Sequence, residues 1–266
     1  MRVDEKTDSP VVWEQDGGLV ILRLNRPDMM NAMSKDMKDA LNVMVPKFFA
    51  DPTCRCLMIT GTGRAFCAGG DVRNMEGEQN AAEVRTRLTI SHDGWARDIL
   101  QGEKPVVMAV NGPAVGAGFG LALLADIILA SESAFFMAGF ASIGAAADMG
   151  LGATLPMAVG SLRAKEILFT QKRVKADEAL QMGLANRVFE DATFDEEARA
   201  FAKSLADGPT VGIGLTKALI AAGSGLDMTS FLKMESVAQV VAFASEDRAE
   251  GAKAFLEKRK PEFKGR

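Results

Sequence analysis

Two glycine-rich segments, each directly after a continuous apolar run, are the part of this sequence best suited to chemistry by the main chain. The first covers residues 61–71 and the second residues 111–120. Small residues let a ligand approach the backbone, and a helix N-terminus offers free N–H donors. Two such donors that face one carbonyl oxygen form an oxyanion hole, which stabilises negative charge on that oxygen. On spacing alone, a simple tight turn is the alternative for each segment.

Charge and residue counts argue against several other kinds of site. The chain of 266 residues carries a net charge of −4, which gives no global basic surface for nucleic acid. Its one histidine, His92, leaves too few ligands for a multi-histidine metal site and little basis for a Ser/His triad. The spacing Gly116-X-Gly118-X-Gly120 differs from the dinucleotide fingerprint G-x-G-x-x-G. We therefore expect neither nucleic acid nor a metal as a ligand.

The cysteines and the apolar runs indicate the cellular compartment of the protein. Cys54, Cys56 and Cys67 are an odd number of cysteines in a long chain, which favours a reducing compartment over a disulfide scaffold. The longest apolar stretch, residues 119–130, is too short for a bilayer, which takes about 20 residues. Because the N-terminus also lacks an apolar targeting core, we expect a cytoplasmic protein without a membrane contact.

One carboxylate is set apart from the other titratable groups. Asp148 is the only ionisable residue between Glu132 and Arg163, in a stretch dominated by Ala, Gly, Phe and Met. Such surroundings remove water from a carboxylate and make it a stronger base. The alternative is that Asp148 caps a helix predicted over residues 149–159.

Other acid–base candidates have simpler predicted roles. We expect Asp71, which follows the first glycine-rich segment, to cap a helix or to touch a ligand through its backbone. Asp126 is expected to accept hydrogen bonds from nearby main-chain donors. His92 lies in the segment 81–100 and is expected to face solvent, with assistance in proton transfer as the alternative.

The elements that must position these residues alternate between strand and helix. Asp16-Gly17-Gly18 predicts a hairpin, and Ser34 is a suitable N-cap for a helix. Predicted strands lie at residues 11–14, 19–24, 56–60, 105–110, 127–130 and 134–137. Predicted helical segments lie at residues 34–50, 81–100, 119–124, 194–206, 210–222, 228–245 and 249–258. The pattern predicts an α/β core over residues 1–193 and a helical region over 194–266, whose apolar faces need the core or another subunit.

Several spaced landmarks run through the chain in a recognisable order. They are Leu24-Asn25-Arg26-Pro27 with Asn31-Ala32; Phe66-Cys67-Ala68-Gly69-Gly70-Asp71; residues 105–112; Gly116-Ala117-Gly118 with Ala125-Asp126-Ile127; residues 179–183; and Phe255-Leu256-Glu257-Lys258-Arg259. Over nearly its whole length the sequence thereby resembles the crotonase superfamily, the enoyl-CoA hydratase/isomerase family.

This resemblance implies a crotonase-like spiral of ββα units followed by a C-terminal helical region used in trimer formation, often as a dimer of trimers. It assigns the oxyanion hole to the backbone N–H groups of Gly70 and Ala117, which would bind the carbonyl of an acyl-CoA thioester. The residues that it places along the coenzyme A path are Met30, Ala32, Ala68 and Asp71, with Phe255 and Lys258 from the C-terminal region. For Lys258 a solvated position is the alternative.

At two positions the sequence departs from the family hydratases, which resemble one another in a pair of glutamates. Aligned on Gly116 and on residues 158–160, those positions hold Gly120 and Phe140, and neither side chain transfers a proton. Asp148 aligns instead with an acidic position of other branches. In dienoyl-CoA, 3-enoyl-CoA and ring-modifying isomerases, an acidic side chain at that position moves protons. In aromatic-acyl-CoA dehalogenases, an aspartate there attacks the substrate.

We therefore expect an enoyl-CoA isomerase in which Asp148 takes a proton from the acyl chain and returns it two carbons along. Gly70 and Ala117 would hold the enolate oxygen. No metal or redox cofactor is expected, since coenzyme A arrives with the substrate, and a homotrimer or homohexamer is implied. Two alternatives stay open. The first is an enoyl-CoA hydratase or acyl-CoA hydrolase in which Asp148 activates water, and the second is a non-catalytic acyl-CoA-binding protein.

Overall fold

The structure is a computed structural model that describes residues 2–3, 9–71 and 80–266. Its strands are β1 (Arg2–Val3), β2 (Val11–Asp16), β3 (Leu19–Leu24), β4 (Cys56–Gly61), β5 (Val106–Val110), β6 (Ala114–Val115), β7 (Ile127–Ser131), β8 (Phe135–Met137), β9 (Val174–Lys175) and β10 (Arg187–Phe189). Its α-helices are α1 (Lys35–Ala50), α2 (Ala81–Ser91), α3 (Arg97–Gln101), α4 (Ala117–Ala122), α5 (Leu151–Val159), α6 (Ser161–Thr170), α7 (Ala176–Gln181), α8 (Phe194–Ala206), α9 (Thr210–Gly223), α10 (Met228–Phe243) and α11 (Glu246–Glu257). Strands and helices alternate as far as β10, and helices follow.

Local signals in the sequence set the boundaries of the first elements. Gly17 adopts φ 59°, which closes the predicted hairpin between β2 and β3. The Ser34 hydroxyl accepts the backbone N–H of Met37 at 3.2 Å, so the predicted N-cap of α1 is confirmed. The predicted helical segment 81–100 is divided, because a π-helical segment, His92–Ala96, separates α2 from α3.

Two sheets organise the described residues. The larger has the strand order β1-β2-β3-β4-β5-β7-β10, and the smaller has the order β6-β8-β9. In the larger sheet β1, β2 and β3 pair antiparallel, whereas all pairings from β3 through β10 are parallel. Because parallel strands end at the same edge of a sheet, the two glycine-rich loops leave β4 and β5 side by side.

Apolar side chains cover both faces of the larger sheet. Alternation along β3 sends successive side chains to opposite faces, where α1 packs on one side and α8 on the other. The α1 side holds Met37, Leu41, Val45 and Phe48 with Val20 and Leu22. The α8 side holds Phe194, Ala198, Ala202 and Ala206 with Leu19 and Ile21.

The C-terminal helical region was predicted to begin at Phe194, and α8 begins at that residue. α8 nevertheless forms one layer of the core, because its apolar face is buried against the sheet. α10 is different, since none of its 16 residues is buried. The division of the chain at residues 193 and 194 stays a prediction.

Two further observations concern the predicted surroundings of the protein. Among the described residues, no helix is both long and apolar enough to cross a membrane. Cys54, Cys56 and Cys67 are all buried thiols without a disulfide partner. The cytoplasmic location stays a prediction.

Candidate active site

The first glycine-rich loop lies between two other backbone segments that fix its path. On one side the Ala68 N–H donates to the Met30 carbonyl at 2.9 Å, and the Met33 N–H donates to the Gly69 carbonyl at 2.8 Å. On the other side the loop pairs with β6, where the Val115 N–H donates to the Cys67 carbonyl at 2.9 Å. The loop is therefore held as a short strand rather than as a free turn.

The second loop crosses the first at close range and turns into α4. Its Gly116 N–H donates to the Met137 carbonyl of β8 at 2.9 Å. Gly118 faces the Cys67 carbonyl so closely that any side chain there would overlap it. A Cβ on Gly69 would lie 3.7 Å from the Ala117 nitrogen. The backbones of the two loops are therefore close together at the two predicted donors, Gly70 and Ala117.

Both predicted oxyanion donors are without an acceptor in the described part of the chain. Neither the Gly70 N–H nor the Ala117 N–H donates a hydrogen bond to another described residue. Ala117 is the first residue of α4, where a backbone N–H has no partner within the helix. The arrangement can therefore offer two donors to one carbonyl oxygen, and their catalytic role stays a prediction.

Cys67, in the middle of the first loop, is not a nucleophile candidate. Its side chain is fully buried, and burial raises the pKa of the thiol to about 12. The thiol stays protonated near neutral pH, whereas the reactive form of cysteine is the thiolate. The chemistry of this loop thus rests on its backbone.

Asn31 and Arg26 position the first loop, and the sequence assigned them no role. Asn31 is completely buried, and its side-chain amide donates to the carbonyls of Thr62 at 3.0 Å and Ala65 at 2.7 Å. Its Oδ1 accepts the Arg26 N–H at 2.8 Å. The Arg26 guanidinium also pairs with Asp71 at 3.1 Å, directly after Gly70. In the sequence, the only indication of a role for these two residues is that both belong to the motif between Leu24 and Ala32.

We expect Asn31→Ala to lower the free energy of unfolding by about 2–4 kcal/mol, because it removes three hydrogen bonds of a completely buried side chain. Urea denaturation measures this loss. The matched control is Asn80→Ala, which removes the exposed N-cap of α2 and should cost about 1 kcal/mol. Equal losses for the two variants would contradict the positioning role of Asn31.

Asp148 lies in the loop before α5, and it does not cap that helix. Two left-handed residues, Met149 with φ 52° and Gly150 with φ 73°, separate Asp148 from the helix, whose N-cap is Gly150. The predicted alternative role of Asp148 as a helix cap is therefore wrong. Its Oδ1 instead accepts the N–H of the next residue, Met149, at 2.7 Å.

The backbone of Asp148 is packed against the helix that begins with an oxyanion donor. A Cβ on Gly120 would lie 3.0 Å from the Asp148 carbonyl and 2.5 Å from the Met149 Cβ. Gly120 is about one turn after Ala117 in α4, so the Asp148 main chain packs about one helical turn from that donor.

His92 reaches Asp148 from the π-helical segment. Its Nε2 lies 3.0 Å from the Asp148 Oδ1. The imidazole is 38% exposed, but Nε2 itself is buried. The expectation that His92 simply faces solvent is wrong, because Nε2 is buried beside the Asp148 carboxylate. No signal in the sequence marks this contact between two distant segments.

A cavity of about 650 Å³ opens beside the first loop. Gly70 and Asp71 form one wall, Asn42 of α1 forms another, and Ile90 and Ser91 of α2 form a third. Since Ser91 directly precedes His92, the cavity extends from one predicted oxyanion donor towards the His92 helix. A larger cavity, of about 810 Å³, is lined by Arg55 and other residues near the amino end of β4 and contains none of the predicted site residues.

Four of the six residues predicted along the coenzyme A path lie together at the first loop. Ala68 bonds to Met30, whose side chain is 38% exposed. Arg26 connects the other two, since its guanidinium donates to the Ala32 carbonyl at 2.5 Å and pairs with Asp71. The helix cap expected of Asp71 lies beyond residue 71, outside the described residues. The coenzyme A contacts of all four residues stay predictions.

Phe255 and Lys258 are not brought to the loops within one chain. No hydrogen bond or ion pair among the described residues joins either of them to the two loops, and Phe255 is 83% exposed. Asp247 near the start of α11 accepts the Lys264 N–H at 2.6 Å, and the adjacent Phe263 carbonyl accepts from Arg55 at 3.0 Å. This anchor lies at the amino end of β4, opposite to the edge where the loops emerge.

Asp126 has the structural role that the sequence predicted. Its Oδ2 accepts the Val106 N–H at 2.8 Å, which confirms the expected main-chain contact, and it also pairs with Lys217 at 2.9 Å. Burial raises the pKa of Asp126, and Lys217 opposes this shift. The carboxylate joins β5 to α9 and stands apart from the loops.

A family model described as enoyl-CoA hydratase/isomerase matches residues 14–266. The 1,2-epoxyphenylacetyl-CoA isomerase of Escherichia coli (strain K12) is 36% identical over 251 residues, which cover 94% of this chain and 96% of that protein. A probable enoyl-CoA hydratase of Rhodobacter capsulatus is 36% identical over 254 residues, which cover 96% and 97%. The solved structure of an enoyl-CoA hydratase from Bacillus anthracis superposes with a TM-score of 0.91 at 30% identity, covering 96% of this chain and 99% of that one.

Proposed function

Because this chain belongs to the enoyl-CoA hydratase/isomerase family, whose enzymes act on acyl-CoA, we propose that it moves a double bond within an enoyl-CoA by proton transfer through Asp148. One observation carries the proposal: the main chain of Asp148 packs against α4, the helix that begins with the Ala117 N–H. Oδ1 is held by the Met149 N–H, while Oδ2 accepts no hydrogen bond from a described residue. One oxygen is thus fixed and the other is open to substrate.

The proposed reaction needs one base and one site for negative charge. The Gly70 and Ala117 N–H groups bind the thioester oxygen, and Asp148 breaks a C–H bond at C2 of a 3-enoyl-CoA. The electron pair of that bond forms the C2–C3 double bond through the enolate, and Asp148 returns the proton to C4 as the C3–C4 double bond is lost. As part of this proposal the enzyme uses no resident cofactor, since coenzyme A arrives with the substrate.

The contact at Gly120 supports isomerisation over the hydration chemistry of the family glutamates. A Cβ at this position meets Met149 and the Asp148 carbonyl, so a glutamate there requires the Asp148 loop to move. At the other glutamate position Phe140 is half-buried, and its ring lies 4.0 Å from where a Cβ on Gly116 would stand. An apolar ring there offers no proton to water.

We expect Gly120→Ala to lower the free energy of unfolding by about 1–3 kcal/mol and to lower isomerase activity, because the new methyl group displaces Asp148. Gly152→Ala in α5 is the matched control, since nothing lies within 4 Å of its added Cβ. That variant should be neutral or stabilising by about 0.5–1 kcal/mol. Thermal melting and initial rates measure both effects, and a fully active Gly120→Ala protein would contradict the proposed packing.

A second candidate function is hydration or thioester hydrolysis with Asp148 activating water. Its specific support is His92, which stands 3.0 Å from Asp148 and could act as the second proton-carrying group that hydration requires. Several relatives, including the Rhodobacter capsulatus protein, also carry hydratase names. We rank this function second because the two glutamate positions of the family hydratases hold Gly120 and Phe140, neither of which transfers a proton.

A substrate panel tests the ranking of the two functions. Purified protein is assayed with 2-enoyl-, 3-enoyl- and aromatic-acyl-CoA thioesters, and the products are separated by chromatography. Isomerisation of 3-enoyl-CoA as the fastest reaction supports the proposal. A faster appearance of 3-hydroxyacyl-CoA or free coenzyme A overturns it in favour of the second candidate.

We also propose that the enzyme is a homotrimer or a dimer of trimers assembled through α10. None of its residues is buried in the single chain. One face of the helix carries the exposed side chains of Val237, Val240 and Val241 at helical spacing. Other exposed apolar side chains lie on α5 and α6, among them Met157, Leu162 and Phe169.

Val240→Asp should convert the assembly to monomers or weaken it at least 10-fold, because a buried unpaired charge costs several kcal/mol. Sedimentation velocity measures the change. Gln239→Asp is the control, since residue 239 is exposed and lies on the opposite side of α10 from Val237 and Val241, at about 100° per residue. A wild-type monomer, or equal behaviour of both variants, would contradict assembly through this face.

A further inference from the structure

The buried nitrogen of His92 has a geometry that the proposed reaction does not yet use. Nε2 is buried and makes no aligned hydrogen bond with a described residue, although the Asp148 Oδ1 is only 3.0 Å away. A buried polar atom without a hydrogen bond costs about 1–3 kcal/mol, so such atoms are uncommon in folded proteins. A poorly aligned contact at this distance is typical of a catalytic pair without substrate, because such bonds tighten in the substrate complex.

The two ends of the imidazole face different surroundings. Nε2 is buried against Asp148, whereas the ring as a whole is 38% exposed and Nδ1 is not among the buried unpaired atoms of the described residues. An imidazole can hold a proton on either nitrogen. The ring therefore connects the half-buried Asp148 carboxylate to the exterior.

The backbone on both sides of His92 fixes the position of the ring. His92 has helical angles, φ −73° and ψ −44°, and its N–H donates to the Leu88 carbonyl. Gly94 has non-helical angles, φ −97° and ψ −124°, which kink the chain after this turn, and the Trp95 N–H points to the Asn42 side chain on α1 at 3.5 Å. Trp95 itself is completely buried, so the segment after the kink is anchored in the core.

We infer that His92 relays protons between Asp148 and solvent during the isomerisation proposed above, on which this inference rests. After Asp148 has taken the C2 proton, its carboxyl group turns and the proton passes to Nε2, while the proton on Nδ1 leaves to water. The reverse transfer reloads Asp148 from water before C4 is protonated. Each transfer moves one proton and no electrons, and water is the only reactant besides the substrate.

The relay has a consequence that a merely structural histidine does not have. A carboxylate isolated from solvent returns the proton that it removed, so a deuterium label taken from C2 appears at C4. A carboxylate connected to water through His92 loses that label. The fraction of deuterium transferred to C4 therefore reports the relay separately from the rate.

The test uses 3-enoyl-CoA deuterated at C2, with the wild-type protein and the His92→Gln variant in ordinary water, and mass spectrometry of the 2-enoyl-CoA product. We expect the wild type to lose most of the label and His92→Gln to retain at least threefold more of it, with little change in KM. Asp93→Asn, an exposed change on the same segment, should behave as the wild type. Equal retention in the wild type and His92→Gln would overturn the relay.

A second measurement makes the test independent of how the variant folds. His92 is the only histidine of the sequence, so diethyl pyrocarbonate modifies a single imidazole of the folded wild type. Modified protein should retain the label, and hydroxylamine should reverse the effect. Label loss unchanged by modification would overturn the relay. Absence of any isomerisation by unmodified wild type would instead overturn the proposed function, and the relay with it.

Discussion

Asp148→Asn lowers the turnover of a 3-enoyl-CoA by about 10²–10⁴-fold, the range that a positioned general base contributes. Asparagine has nearly the same shape as aspartate, and its side-chain oxygen still accepts the Met149 N–H that holds Oδ1 at 2.7 Å. The variant should therefore fold and bind acyl-CoA as the wild type does. Only the capacity to take a proton is removed.

Initial rates and calorimetric binding of a non-reactive acyl-CoA together measure this result. The expected outcome is a loss in kcat with a change in Kd of less than about threefold. The matched control is Asp93→Asn, which changes the same charge at an exposed position and should stay fully active. An Asp148→Asn enzyme that keeps more than a tenth of the wild-type kcat would remove Asp148 from the mechanism.

Ala117→Pro lowers kcat by about 10²–10³-fold, because losing one oxyanion donor costs about 2.7–4 kcal/mol. Proline has no N–H, yet the first position of a helix tolerates it. The preceding Gly116, with φ 56° and ψ −122°, is not helical, so it does not conflict with a following proline. The substitution therefore removes the donor with little change to α4.

Ala117→Gly is the control, since it removes the side chain and keeps the N–H. We expect it to retain activity within about threefold, and thermal melting checks that both variants fold. Equal kcat values for the proline and glycine variants would show that the backbone donor at this position does not act in the transition state.

The glycine-rich loops could be predicted because their signals are local. Each loop follows an apolar strand, and parallel strands end at one edge of a sheet. Apolar spacing gave α1 and its Ser34 cap, and it gave the start of α8 at Phe194. Asp126 was predictable for a related reason, since a carboxylate directly after a buried helix has main-chain donors beside it.

The residues that could not be predicted depend on contacts between distant segments. Asn31 reaches Thr62 and Ala65, more than 30 positions away, and its own pattern in the sequence shows only a turn. His92 was assigned to solvent because its own helical segment gives no sign of a partner, whereas the fold brings Asp148 to 3.0 Å from its Nε2.

One other prediction failed for a reason of backbone geometry. The N-cap alternative for Asp148 assumed that the helix begins at the next residue, whereas the left-handed Met149 and Gly150 delay it. The coenzyme A contacts of Phe255 and Lys258 stay predictions. Both residues lie at the end of α11, which is anchored at the other edge of the sheet, so the proposed assembly would have to bring them to the loops of another subunit.

The most direct test of the central claim follows one sample of a 3-enoyl-CoA by NMR, first with wild-type protein and then with Asp148→Asn. We predict that the wild type forms 2-enoyl-CoA faster than any 3-hydroxyacyl-CoA. Asp148→Asn should form neither product at a rate comparable to that of the wild type. Hydration of the 2-enoyl-CoA at a rate unaffected by Asp148→Asn would contradict the proposed mechanism.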